Sequence, residues 1–149
     1  MIKATELQIG DFVLIDGTPR KVEAITKKKI GYHRKEKEPR LYYARLRDVE
    51  PIEITEEVLV KSGFGEADLD GLVLQYEQGK KLCLKLKDSL FGNYTWYYSM
   101  HQSGNFWFMD FWGMVNGGFP KVNRTLIRSL HDLRCLIKAT SGVNFEVKL

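Results

Sequence analysis

Four apolar residues, Phe12 to Ile15, lie between Gly10-Asp11 and Asp16-Gly17. The run is too short for a helix and predicts a strand. Asp16-Gly17 tolerates the positive φ of a hairpin turn. Thr18-Pro19 is expected to lengthen that loop, because proline donates nothing to a strand ladder. A return strand then runs through Arg20 to Ile25. Lys29 to His33 predicts a third strand, Arg34 to Pro39 a charged tip, and Leu41 to Leu46 a fourth strand. Val49 to Ile54 predicts a short fifth strand, at an edge because of Pro51. Short strands at this density suit a small, strongly bent barrel.

After Ile54 the rhythm turns helical. Thr55 is a good N-cap, Glu56 and Glu57 suit the positive helix start, and Lys61 suits the negative end. Gly63 fits the left-handed position after the helix, with Phe64 folding back on Leu59. So short a helix cannot stand alone; it should plug the barrel or bridge it to the second region. Gly65 to Gly71 reads as an acidic loop. Leu72 to Tyr76 and Leu82 to Leu86 read as strands about the turn Gln78-Gly79-Lys80.

Tyr94 to Met100 and Phe106 to Trp112 form an aromatic hairpin that holds nine of the eighteen aromatic residues. With Ser103-Gly104 as its loop, Met100 faces Trp107, Tyr98 faces Met109 and Trp96 faces Phe111. One surface then carries Tyr94, Trp96, Tyr98, Met100, Trp107, Met109 and Phe111, a buried face. The other carries Thr95, Tyr97, Ser99, His101, Phe106, Phe108, Asp110 and Trp112. A one-residue slip would destroy this separation. Gly113 to Pro120 reads as a loop. Val122 to Ser141 predicts one long helix with an apolar stripe of Leu126, Leu130, Leu133 and Ile137, placed to cover the aromatic face. Gly142 ends it, and Asn144 to Leu149 predicts a last strand.

The expected fold class is therefore α+β. An SH3-like small β-barrel over residues 1–54 is followed, over 55–149, by a short helix and an antiparallel sheet packed against one long C-terminal helix. The two regions either keep separate cores or share one.

Composition adds little to this picture, but charge adds a good deal. The 149 residues are 44% hydrophobic and 28% charged, as in a folded globular chain. No apolar run approaches the roughly 20 residues of a membrane span. Met1 to Glu6 lacks the apolar core of a signal peptide. Cys83 and Cys135 suggest no disulfide framework, so a reducing, cytoplasmic setting is expected. The net charge of +4 is unevenly spread. Eleven cations and three carboxylates between Arg20 and Arg47 leave that segment at +8, and the remainder at −4.

Catalytic signatures are lacking. There is no phosphate-binding loop, no dinucleotide-binding glycine pattern and no Gly-x-Ser-x-Gly elbow. His131 and Cys135 share a helix face and could reach one metal, but no further ligand pair accompanies them. His131-Asp132 is the ordinary stuff of a helix surface. No enzyme, metal or cofactor is expected.

Two binding roles remain. In one, Lys27, Lys28, Lys29, Arg34, Lys35 and Arg40 meet phosphates of nucleic acid while Tyr32, Tyr42 and Tyr43 offer flat faces to bases. The plain alternative is a solvated hairpin tip, its field weakened by Glu36 and Glu38. In the other, Tyr97, Phe106, Phe108 and Trp112 form an exposed aromatic surface for a protein partner or a second copy. There the plain alternative is a second core layer.

Three stretches carry a resemblance. They are Ala4 to Val13, Glu50 to Leu59 with Lys61-Ser62-Gly63-Phe64, and Leu130-His131-Asp132-Leu133 through Ala139-Thr140-Ser141-Gly142. In order and spacing they resemble a group of short, uncharacterised proteins of gut Bacteroidota and their phages or mobile elements. The aromatic segment matches no stated pattern of that group. The resemblance implies a prokaryotic or phage cytoplasmic origin and assigns no site residue.

Overall fold

The computed structural model describes residues 1–65, 81–87, 94–114 and 122–149. The expected acidic loop, the strand over Leu72 to Tyr76 and the turn at Gln78 to Lys80 lie outside these residues, save for Gly65. The fold is mixed sheet and helix. It divides into two compact units, Met1–Glu53 with Ser129–Cys135, and Ile54–Arg128 with Leu136–Leu149.

The first unit contains strands β1 (Phe12–Ile15), β2 (Thr18–Lys21), β3 (Ala24–Ile25), β4 (Lys29–Tyr32), β5 (Tyr42–Arg45) and β6 (Val49–Pro51). They form two antiparallel sheets, β2-β1-β6 and β3-β4-β5. Asp16 and Gly17 both take positive φ, 51° and 71°, and close the first hairpin as a two-residue turn. Pro19 therefore sits in the strand, opposite Leu14, rather than in the loop. That is tolerated because β2 is an edge strand, which can turn its missing donor outward. The expected return strand breaks at Val22-Glu23. Its first part pairs with β1 and its second with β4.

Among the described residues the two sheets share no ladder, so no closed barrel is seen. They share a core instead. Val13, Ile15 and Val49 from one sheet meet Ile30, Tyr32 and Ala44 from the other, with Ile2, Leu7, Val22 and Leu46.

The second unit contains helix α1 (Glu56–Lys61) and strands β7 (Lys81–Lys87), β8 (Thr95–Ser103), β9 (Phe106–Met114) and β10 (Asn123–Ile127). In α1, Thr55 Oγ1 accepts from the Val58 N–H at 3.2 Å. At the other end the Phe64 N–H reaches Leu59 O at 3.0 Å and the Gly63 N–H reaches Val60 O at 3.1 Å, both bonds of a Schellman ending. Leu59 and Phe64 are buried. Lys61 lies 2.7 Å from Glu57 and, by hydrogen bond and charge, holds that carboxyl below its ordinary range.

The strands β10-β9-β8-β7 form one antiparallel sheet. Ser103 pairs with Phe106 across Gly104-Asn105, one residue later than expected, so Met100 faces Met109 and Tyr98 faces Phe111. The pairing has moved by two. Because side chains alternate with period 2, the two faces keep their membership. On the apolar face Tyr98, Met100 and Met109 are buried, while Trp96, Trp107 and Phe111 are only half-buried. The Tyr94 ring occupies the space a Cβ on Gly113 would need.

The C-terminal region differs from expectation. Val122 to Ser141 is not one helix: β10 pairs with β9, and helix α2 (Leu130–Ser141) starts only after Ser129. Arg124 and Leu126 alternate with Thr125 and Ile127, and the β-branched residues among them favour the pleated form. Ser129 Oγ accepts from the Asp132 N–H at 3.4 Å, capping α2. Leu130, Leu133 and Ile137 are buried as the stripe predicts, but Leu126 belongs to the sheet. Further along α2, Thr140 Oγ1 lies 2.6 Å from Tyr98 Oη, on the apolar side of the sheet. Gly142 ends the helix at φ 73°. The last segment joins no ladder among the described residues, although Phe145 and Val147 are buried.

Candidate nucleic-acid interface

The basic residues of the first unit separate into two groups. The turn between β3 and β4 is pinned by backbone bonds. Thr26 N–H donates to Lys29 O at 2.8 Å, and Leu46 N–H donates to Lys28 O at 3.0 Å. Thr26 Oγ1 also accepts from the Lys29 N–H at 3.1 Å. Lys27, Lys28 and Lys29 are thereby held on a fixed, exposed ridge. Beside them Lys29 pairs with Arg45 across β4 and β5. The next turn of chain supplies Arg47, and the N-terminal segment supplies Lys3. Together these six cations border a groove of about 470 Å³ whose apolar lining includes Ile2, Ala4 and Leu46. Among the described residues no carboxylate lines it. Two carboxylates lie close by: Asp48, 3.6 Å from Arg47 with both partners largely exposed, and Glu6, whose Oε2 accepts the Lys3 backbone N–H at 3.1 Å.

The second group is the hairpin tip, and it is engaged with itself. The guanidinium carbons of Arg34 and Arg40 lie 4.1 Å and 5.0 Å from the centre of the Tyr42 ring. Tyr42 Oη donates to Glu38 Oε1 at 3.2 Å, and the Lys35 N–H donates to Glu38 Oε2. Arg20 donates to Arg34 O at 2.8 Å and lies 5.7 Å from the centre of the Tyr32 ring. Tyr32 is buried and Tyr42 half-buried. Of the three tyrosines expected to meet bases, the structure leaves one open. Tyr32 faces the core, arginines cover Tyr42, and Tyr43 is 55% exposed. Alternation along β5 explains this. Tyr42 and Ala44 point to the core, Tyr43 and Arg45 away from it.

Of the residues singled out from the sequence, Lys27, Lys28 and Lys29 border this groove, and Lys3, Arg45 and Arg47, which were not singled out, border it with them. The pairing of Lys29 with Arg45 was the signal that could have brought two of these clusters together, but it needed the register. Arg34, Lys35 and Arg40 remain exposed at the tip and do not line the groove.

The aromatic surface also divides. Tyr97 and Trp112 are buried and stacked, with ring centres 5.6 Å apart and planes 9° apart. Phe108 is half-buried and stacked on the buried His101. Of these four, only Phe106, beside the hairpin turn, is well exposed, at 59%. Of the two readings of this face, the second core layer holds for Tyr97 and Trp112, which alternation on β8 and β9 packs together with Cys83, and the open surface holds for Phe106 alone of the four. On that same face Cys83, Ser99, Asp110 and Arg124 form one row across four strands. Arg124 donates to both oxygens of the buried Asp110, at 2.7 Å and 3.0 Å.

Ser129, His131 and Asp132 lie together in a way that invites a catalytic reading. Ser129 Oγ is 3.0 Å from His131 Nδ1 and 3.2 Å from Nε2. An oxygen nearly equidistant from both ring nitrogens is in line with neither lone pair. Ser129 is also buried and already caps α2. The arrangement stabilises a helix start. Among the described residues no three His, Cys, Asp or Glu side chains converge as a metal site, and no helix is long and apolar enough to cross a membrane.

No family model, curated protein or solved structure matches the chain.

Proposed function

We propose that the first unit is a non-catalytic nucleic-acid-binding module that contacts the phosphate backbone through the groove bordered by Lys3, Lys27, Lys28, Lys29, Arg45 and Arg47. One observation carries this reading: six cations surround one concave surface with no carboxylate among the described residues of its lining. Like charges gathered on one surface repel, and contacts to a phosphate backbone relieve that repulsion and release counterions. The two sheets about a shared core correspond in this reading to an SH3-like barrel left open. The resemblance to short proteins of gut Bacteroidota and their phages fits a cytoplasmic setting, where nucleic acid is accessible. The interaction reading has less support, since Tyr97 and Trp112 are buried.

Fluorescence anisotropy with labelled oligonucleotides tests the proposal. Affinity should fall steeply between about 50 and 200 mM salt. Glutamate at Lys27, Lys28 and Lys29 together should abolish binding with folding intact, because these side chains are exposed. Binding that ignores salt or survives the reversal would contradict it.

A further inference from the structure

Resting on that reading, we infer that the module selects single-stranded nucleic acid, with one unstacked base lying on the ring of Tyr43. Tyr43 pairs with Gly31 across β4 and β5. A Cβ on Gly31 would meet Tyr43 Cε1 at 3.2 Å and the Ala24 Cβ at 3.0 Å. The absence of that Cβ lets the tyrosine ring settle onto the sheet over the glycine. The ring's Cε1 then lies close over the glycine, while Tyr43 as a whole is 55% exposed. A ring whose edge is seated in this way still offers a face on which a base can stack.

Its neighbours provide the rest of the contact. Arg45 follows Tyr43 by two residues on the same face of β5, roughly 7 Å along the strand. Lys29 is Arg45's cross-strand partner. Both border the cationic groove. A nucleotide can therefore place its base on Tyr43 and its phosphate toward Lys29 and Arg45, with the strand continuing past Lys27, Lys28 and Lys3. In a duplex the base faces are stacked on one another and unavailable to Tyr43. Stacking is indifferent to base identity, so little sequence preference is expected. Tyr32 and Tyr42 cannot share this role, one being in the core and the other covered by Arg34 and Arg40.

The test compares a labelled oligothymidine, a duplex of equal length and polyglutamate, each titrated with the intact protein, Tyr43→Ala and Tyr43→Phe at low salt. The single strand should bind about tenfold more tightly than the duplex. Tyr43→Ala should lose on the order of tenfold for the single strand and almost nothing for the duplex, while Tyr43→Phe keeps the preference, as expected where one stacked base contributes the difference. Salt-sensitive binding of equal strength to both nucleic acids, or equal losses in Tyr43→Ala, would overturn the inference and leave the backbone-binding module standing. Polyglutamate binding as tightly as oligothymidine would overturn both, as would no binding to any oligonucleotide.

Discussion

The guanidinium of Arg134 closes on the carboxylate of Asp11, 123 residues away in sequence, with Nη1 2.5 Å from Oδ1. Asp11 is 1% exposed and also accepts the Gln8 N–H at 2.7 Å. Gly10 completes the arrangement. It sits at φ 93°, and a Cβ there would meet Arg134 Nη2 at 3.0 Å. The Gly-Asp pair that turns the chain into β1 is thus also a seat for an arginine from α2.

Removing Arg134 takes the cation from the buried Asp11 carboxylate, and neutralising Asp11 takes away the anion on which Arg134, 11% exposed, closes. Arg134→Met and Asp11→Asn should each destabilise by about 3–5 kcal/mol, whereas the double substitution should cost clearly less than their sum. Urea denaturation of the four proteins measures this. Additive losses would mean the pair does not act as a unit.

The start of α2 makes a smaller claim. Ser129→Ala removes the oxygen that accepts from the Asp132 N–H and lies beside His131. A loss of about 1 kcal/mol is expected, and Ser129→Asp should recover part of it. Thermal melts of both variants decide this. A neutral Ser129→Ala would place the helix start elsewhere.

Trp112 and Phe106 share a face of the sheet but not a fate, with exposures of 2% and 59%. Trp112→Ala should cost about 3–5 kcal/mol. Phe106→Ala should stay within roughly 0.5 kcal/mol, the usual range for a surface position. Similar urea midpoints for the two would contradict the described burial. Loss of a concentration-dependent self-association in Phe106→Ala would revive the interaction reading.

Local rules made several of these elements legible. Thr55, Gly63 and Phe64 predict α1 with both of its ends, because capping involves only neighbours in sequence. The aromatic hairpin kept its faces through a two-residue error in pairing, because alternation depends only on parity. Elements defined by distant partners were less legible. Val122 to Ile127 has a helix-compatible stripe, and only its pairing with β9, including Arg124 on Asp110, makes it a strand. The sequence Ser129-Leu130-His131-Asp132 did hold a start signal, a serine followed three residues later by an acid, which would have shortened the helix. The proposed binding surface is half legible for the same reason. Charge density along the chain points to the ridge at Lys27 to Lys29, but the tip carries as many cations. Nothing local says that Arg34 and Arg40 fold onto Tyr42, or that Lys3, Arg45 and Arg47 gather at the groove.

The most direct measurement is a map of backbone amide shifts on titrating the isotopically labelled protein with a short oligothymidine. The expected result is a continuous set of perturbed residues comprising Lys3, Lys27 to Lys29, Tyr43, Arg45 and Arg47, fading as salt is raised. Perturbations centred instead on Arg34 to Arg40, or scattered over the sheet of the second unit, would contradict the placement of the nucleic-acid interface at this groove.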